Sequence, residues 1–252
     1  MVYQAENIDA RKHCFYGCQG GVSTGKYASL NTNINSQDSR LNVERNFSII
    51  ADNFGLEQKN MLTIKQSVTS DVIWVNKPSR YAYAADAAVT DKENILLCIK
   101  TADCAPVLLA DYKHGVIGAA HAGWRGAVRG VVENAVKMML THGAQTKDIA
   151  VAIGPCIQAS SFAVKDDMRR VFLEQSPENV KYFTTTDMEI YYFDLQAYLK
   201  DRLLKLKIEN ISVSNIDTYT AVDEYFSYRR YCHLNMIEIP HDYPTQFSCL
   251  RL

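Results

Sequence analysis

Cys104 and His121 are the residues of this chain whose types and spacing point most directly to chemistry. They lie in residues 96–126, LLCIKTADCAPVLLADYKHGVIGAAHAGWRG, where two β-type runs, 105–111 and 115–120, flank the turn-like Tyr112-Lys113-His114-Gly115. A hairpin closed with Asp111 facing His114 sets Cys104 opposite His121, because antiparallel partners keep a constant sum of positions. Their Cα atoms would then be roughly 5 Å apart. A thiol beside an imidazole binds zinc or acts as nucleophile and base; inert packing is the alternative. Asp103 adjoins the cysteine. A helical pattern opening at Trp124 carries Arg125 in its first turn, with Arg129 one turn later. Free N–H groups, the helix dipole and a guanidinium suit a phosphate or carboxylate, the alternative being two solvated surface arginines.

Positioning these groups requires a sheet and its covering helices. Val128, Val131, Val132, Ala135, Val136 and Met139 recur at helical spacing within 124–142, and Gly143 ends the pattern. Val43, Phe47, Ile50 and Phe54 mark a scaffold helix stopped by Gly55. Strands are expected at the aromatic start of residues 13–32, twice within 61–75, and over the apolar run 95–99, whose continuity fits a strand covered on both faces. Residues 149–158 read as a buried strand stopped by Gly154-Pro155, 166–174 as a short helix and 211–216 as a strand. Asp194 is the expected N-cap of a helix striped by Leu195, Leu199, Leu203 and Leu206. The aromatic and basic tail from Tyr225 is expected to run into a final apolar strand limited by Pro240. No repeat or low-complexity linker interrupts the chain, so the reading is one α/β domain over residues 1–252 with a mixed sheet.

The composition narrows the partners. Lys and Arg number 27 against 28 Asp and Glu, which gives no global pull toward nucleic acid or anionic membrane. Hydrophobic residues make up 47%, ordinary for a globular chain. No apolar run approaches the ~20 residues that span a bilayer. Seven cysteines (14, 18, 98, 104, 156, 232 and 249) form no disulfide framework, and the first residues hold no apolar signal core. Reduced thiols in the cytoplasm are expected, with a small-molecule substrate and a monomer or weak homodimer.

The segments TADCAPVLLAD, HAGWRGAVRGVV and AIGPCI closely resemble the laccase-domain family, also called polyphenol oxidase or peptidoglycan editing factor proteins. GGVSTGKYASLN, ADAAVTD and FSYRR fit the same family in order. The resemblance implies a three-layer α/β fold with the mixed sheet between helices, related to Cys-His hydrolases. It implies a purine nucleoside enzyme that phosphorolyses adenosine, inosine, guanosine and methylthioadenosine and deaminates adenosine. It also implies zinc held by Cys104, His121 and a histidine from a QVH-type segment. Here that segment reads Gln66-Ser67-Val68, with Val68 where the histidine would stand, and Cys18 occupies the place of an expected anion-contacting arginine. Three replacements for the missing ligand are considered: His13, His114 and His233.

The catalytic set expected is Cys104, His121, Arg125 and Asp103; Asn31, Gln66 and Arg229 are expected to contact substrate. Two further functions compete with the nucleoside enzyme. One is a metal-free Cys-His hydrolase with Cys104 as thiolate and His121 as base. The other is a non-catalytic protein binding a nucleotide or cell-wall precursor. A multicopper oxidase needs many imidazoles, whereas the chain has 6 histidines, none in an HxH pattern.

Overall fold

The longest buried runs of the sequence become paired strands, as their apolar continuity requires. The computed structural model describes residues 2–186 and 190–252. In chain order the strands are β1 (Val2–Tyr3), β2 (His13–Tyr16), β3 (Met61–Lys65), β4 (Val72–Trp74), β5 (Arg80–Ala84), β6 (Ala87–Thr90), β7 (Leu96–Thr101) and β8 (Ala105–Asp111). They continue as β9 (Val116–Ala122), β10 (Ala150–Ile153), β11 (Ala163–Val164), β12 (Phe183–Thr185), β13 (Tyr191–Phe193), β14 (Ile211–Val213) and β15 (Gln246–Leu250). The helices are α1 (Arg40–Asn53), α2 (Trp124–Val128), α3 (Val131–Thr141), α4 (Asp166–Gln175), α5 (Leu195–Lys205) and α6 (Tyr228–His233).

The class is mixed α/β with helices on both outer faces, as expected, but the central layer is two sheets rather than one. One has the order β1-β2-β15-β7-β3-β5 and the other β14-β10-β8-β9-β6-β4; a small third sheet is β11-β13-β12. Alternation along each strand decides which core a side chain enters. Leu108, Ala110, Ile117 and Ala119 meet Leu62, Leu97 and Ile99 between the two large sheets. Val107, Leu109 and Ala120 point the other way, onto Val132, Val136 and Met139 of α3 and Leu199 of α5. Val43, Phe47 and Ile50 of α1 cover Leu96, Cys98 and Phe247 on the outer face of the first sheet. Each fully buried Val, Leu, Ile, Phe or Met side chain among these is worth roughly 1.5–3 kcal/mol of transfer free energy.

Three local expectations change. The β8–β9 hairpin pairs Asp111 with Val116 and Pro106 with His121, so its loop is four residues long and Cys104 does not stand directly opposite His121. The helix expected over 124–142 breaks into α2 and α3 at Gly130, whose φ of +84° leaves the helical basin for one that glycine reaches without a Cβ clash. The tail from Tyr225 forms the short helix α6, its N-cap Ser227 accepting from the Arg230 N–H, and the last strand lies beyond Pro240 as β15. The Asp194 cap is as expected, its side chain accepting from the Ala197 N–H. No helix among the described residues is long and apolar enough to cross a membrane.

Candidate active site

The register shift moves Cys104 by two positions, which preserves the face because side chains alternate with period two. Cys104 and His121 therefore still converge. A Cβ built on Gly123 would lie 3.0 Å from the Cys104 Sγ and 3.8 Å from both Cε1 and Nε2 of His121. Only a residue without a side chain leaves the thiol and ring that space. Both groups line a cavity of about 530 Å³, within the range of small-molecule sites.

Asp86 fixes the imidazole, and sequence reasoning did not single it out. It is fully buried; one carboxylate oxygen lies 2.7 Å from His121 Nδ1, and its backbone carbonyl accepts from the His121 N–H at 2.7 Å. The other oxygen accepts from the N–H groups of Ser67 and Thr69 and from the Thr69 hydroxyl. With Nδ1–H donating to the Asp86 carboxylate, Nε2 faces the cavity. Burial alone would lower the His121 pKa, but the adjacent Cys104 and the bond to Asp86 outweigh it and carry it up to about 9. Burial likewise favours neutral Asp86, and the His121 and Thr69 donors reverse this, holding it below the usual carboxylate range. Its only sequence signal was an acid inside the apolar run ADAAVTD.

Asp103 has a different place. Its backbone turns at φ +84°, and its carboxylate accepts from the Thr218 and Ser227 hydroxyls at 2.7 and 2.9 Å and from the Arg229 N–H at 2.6 Å. Burial raises its pKa against these donors. It ties the Cys104 turn to the loops around residues 218 and 227, with both oxygens committed.

Arg125 and Arg229 reach the cavity wall. Arg125 is exposed, its guanidinium 4.1 Å over the Trp124 ring; α2 is a single short turn, so the extended dipole expected behind it is missing. Arg229 donates to the Ala163 carbonyl at 2.8 Å and lies over Phe162. Arg129 instead holds the Val68 carbonyl at 3.1 Å. Gln66 lines the cavity while its amide pairs with the Lys100 backbone in both directions, at 2.6 and 2.8 Å. Asn31 does not line it: its amide donates to Ser36 and Asp38 and its oxygen accepts from Asn33 and Thr245. Cys18, also buried, donates to the Asp223 carbonyl.

Cys104 and His121 stand together as two ligands would, while Val68 occupies the wall at φ +60°. His13, His114 and His233 are bonded to Asp9, Asp111 and Tyr219 elsewhere. Among the described residues no group of three His, Cys, Asp or Glu side chains is placed to hold a metal ion, short of the three protein ligands of a catalytic zinc.

Fold and site together define an α/β protein with a Cys-His pair in the wall of a cavity. The family described as multi-copper polyphenol oxidoreductase laccase matches residues 12–235, and the chain belongs to that family. A purine nucleoside phosphorylase of Rickettsia prowazekii is 32% identical over 215 residues, 85% of this chain and 86% of that protein. One from Streptomyces coelicolor is 32% identical over 232 residues, 91% and 94% of the two chains. Among solved structures, a Neisseria meningitidis protein of the DUF152 family superposes with a TM-score of 0.84 at 28% identity, covering 100% of this chain and 98% of that one. The Bacillus licheniformis hypothetical protein YfiH gives 0.85 at 25% identity, covering 97% of each.

Proposed function

We propose that this chain is a purine nucleoside phosphorylase acting on adenosine, inosine, guanosine or methylthioadenosine. The observation that carries the reading is the Cys104–His121 pair, braced by Asp86 in a nucleoside-sized cavity, in a chain whose relatives bear that name. Phe162, Trp124, Tyr228 and Tyr243 line the cavity, and aromatic faces of this kind stack on bases. In phosphorolysis a phosphate oxygen bonds to the ribose C1′ while the C1′–N bond breaks and its electron pair leaves on the purine. Placement and charge dominate such a step. In this reading Arg125 and Arg229 supply cationic walls, and His121, oriented by Asp86, serves the departing base. Zinc would add an activated water for adenosine deamination, but two donors do not make its site, and phosphorolysis is the better supported activity. Incubating the purified protein with adenosine and phosphate tests the reading: adenine and ribose 1-phosphate are expected, and their absence, with no inosine, at high protein concentration refutes it.

A second reading has one observation in its favour. Asp86, His121 and Cys104 follow the order of orienting acid, base and thiol used by cysteine hydrolases, and Val68 removes a metal ligand. It predicts full activity in chelator and inactivation by a thiol-alkylating agent; activity that survives alkylation rules it out.

A further inference from the structure

Lys100 stands next to the end of β7 and is the one lysine lining the cavity among the described residues. Its backbone is clamped by the two bonds to Gln66 and by pairing with Phe247 of β15. Side-chain alternation carries it out of the inter-sheet core toward the loop that holds Asn33. There its ammonium has a single long contact, 3.5 Å to the Asn33 side-chain oxygen, which the Asn35 N–H already shares. No Asp or Glu among the described residues lies within 4.0 Å of it, although Lys26, Lys59, Lys92, Lys113 and Lys181 all have such partners. Asp103 is the single carboxylate on the cavity wall among those residues, and its oxygens are spent.

Lys100 is half-buried, and an ammonium that gives up part of its hydration without gaining a counter-ion carries a cost. A ligand that supplies the missing charge repays it. Asn35, which is exposed, and the half-buried Tyr243 also line the cavity, and neither side chain has a hydrogen-bond partner among the described residues. Ammonium, amide and phenol together are a donor set for a tetrahedral oxyanion.

We propose that Lys100 anchors a phosphate group in this cavity, either free phosphate or the 5′-phosphate of a nucleotide. The proposal rests on the purine nucleoside reading and names the anion-binding residue within it. Arg125, exposed and stacked on Trp124, then serves the rim. Burial, which lowers the Lys100 pKa to about 8, still leaves the group cationic at neutral pH.

The test reads binding rather than turnover, so it stands apart from the phosphorolysis assay. Inorganic phosphate and adenosine 5′-monophosphate are titrated by calorimetry into the full chain, Lys100→Met and Lys100→Arg. In Lys100→Met the dissociation constant should rise at least about tenfold for one or both ligands, and Lys100→Arg should stay within a few-fold of wild type. Weakening of inorganic phosphate identifies a free-phosphate site; weakening of the monophosphate alone identifies a phosphorylated substrate. Equal binding by wild type and Lys100→Met overturns the proposal, as does failure of the wild type to bind either ligand at millimolar concentration. A melting temperature of Lys100→Met at or above that of wild type shows that lost binding is not lost folding.

Discussion

Replacing the half-buried Lys100 by methionine should make this protein more stable, which is the reverse of the usual effect of a substitution. The ammonium ordinarily titrates at 10.5 and here at about 8, with burial as the cause. At about 1.4 kcal/mol per pH unit, that difference costs the folded state about 3 kcal/mol at neutral pH, and water at the cavity mouth trims it to about 1–3 kcal/mol. Because the folded pKa lies below the unfolded one, the folded protein binds fewer protons between about pH 8 and 10.5. Stability therefore rises with pH across that window in the wild type, and the penalty is present in full below it. Lys100→Met keeps the aliphatic stem, removes the charge and should flatten that rise. Urea unfolding at several pH values from 7 to about 10.5 measures both effects, and the melting temperature at neutral pH should climb by about 2–4 °C per kcal/mol for a chain of this size. The titratable groups sharing the cavity are Asp103, Cys104, His121, Tyr228, His241 and Tyr243. All are common to both proteins, so the difference between the curves isolates Lys100. A variant less stable than wild type at pH 7 would refute the reasoning, because it would mean that the ammonium has a partner that holds its charge.

Val68→His should fold at least as well as wild type, since a β-branched residue at φ +60° is strained by about 1 kcal/mol or more and histidine tolerates that region better. It also adds a third imidazole or thiolate donor, so zinc content by metal analysis should rise toward stoichiometric; no rise would show that the three side chains do not converge. Asp86→Asn should lower stability by about 3 kcal/mol, because a buried acceptor of several N–H and O–H groups loses its charge, and should cut turnover about 100-fold or more by releasing the His121 ring. A normal rate in that variant would remove Asp86 from the account. Gly123→Ala keeps an extended backbone, φ −71° and ψ 162°, so unfolding should change by less than about 1 kcal/mol. Its methyl would press the Cys104 thiol, and both activity and alkylation rate should fall; unchanged alkylation would show that the thiol does not lean on that space.

The sequence displayed the hairpin and its chemistry because both are local. Residues 105–111 carry apolar side chains toward both faces, Cys104 and His121 sit at the strand ends, and a two-residue error in register still leaves them on one face. Asp194 and Gly130 acted locally, the first as expected through its side-chain cap and the second through its backbone as a break that the apolar stripe of Val128, Val131 and Val132 masked. The groups that complete the site are not local. Asp86 reaches His121 only because β6 pairs with β9, placing Ala87 opposite Ala120, and nothing in AADAAV marks its acid as more than a polar interruption. Lys100 ended a run that read as buried strand, and its exit toward Asn33 depends on β15, which arrives from the far end of the chain. Asn31 had the composition of a ligand contact, yet its hydrogen bonds are all spent on its own loop and Thr245. The second sheet was hidden for the same reason: β7 and β9 are alike near-continuous apolar runs, and only long-range pairing assigns them to different layers.

The most direct measurement is the formation of ribose 1-phosphate from inosine and phosphate by the wild type, Cys104→Ala and His121→Ala side by side. A phosphate-dependent rate in the wild type that falls at least about 100-fold in both variants, with folding intact, is the predicted result. A wild-type preparation that forms no ribose 1-phosphate, or variants that form it at the wild-type rate, would contradict the assignment of this cavity to nucleoside phosphorolysis.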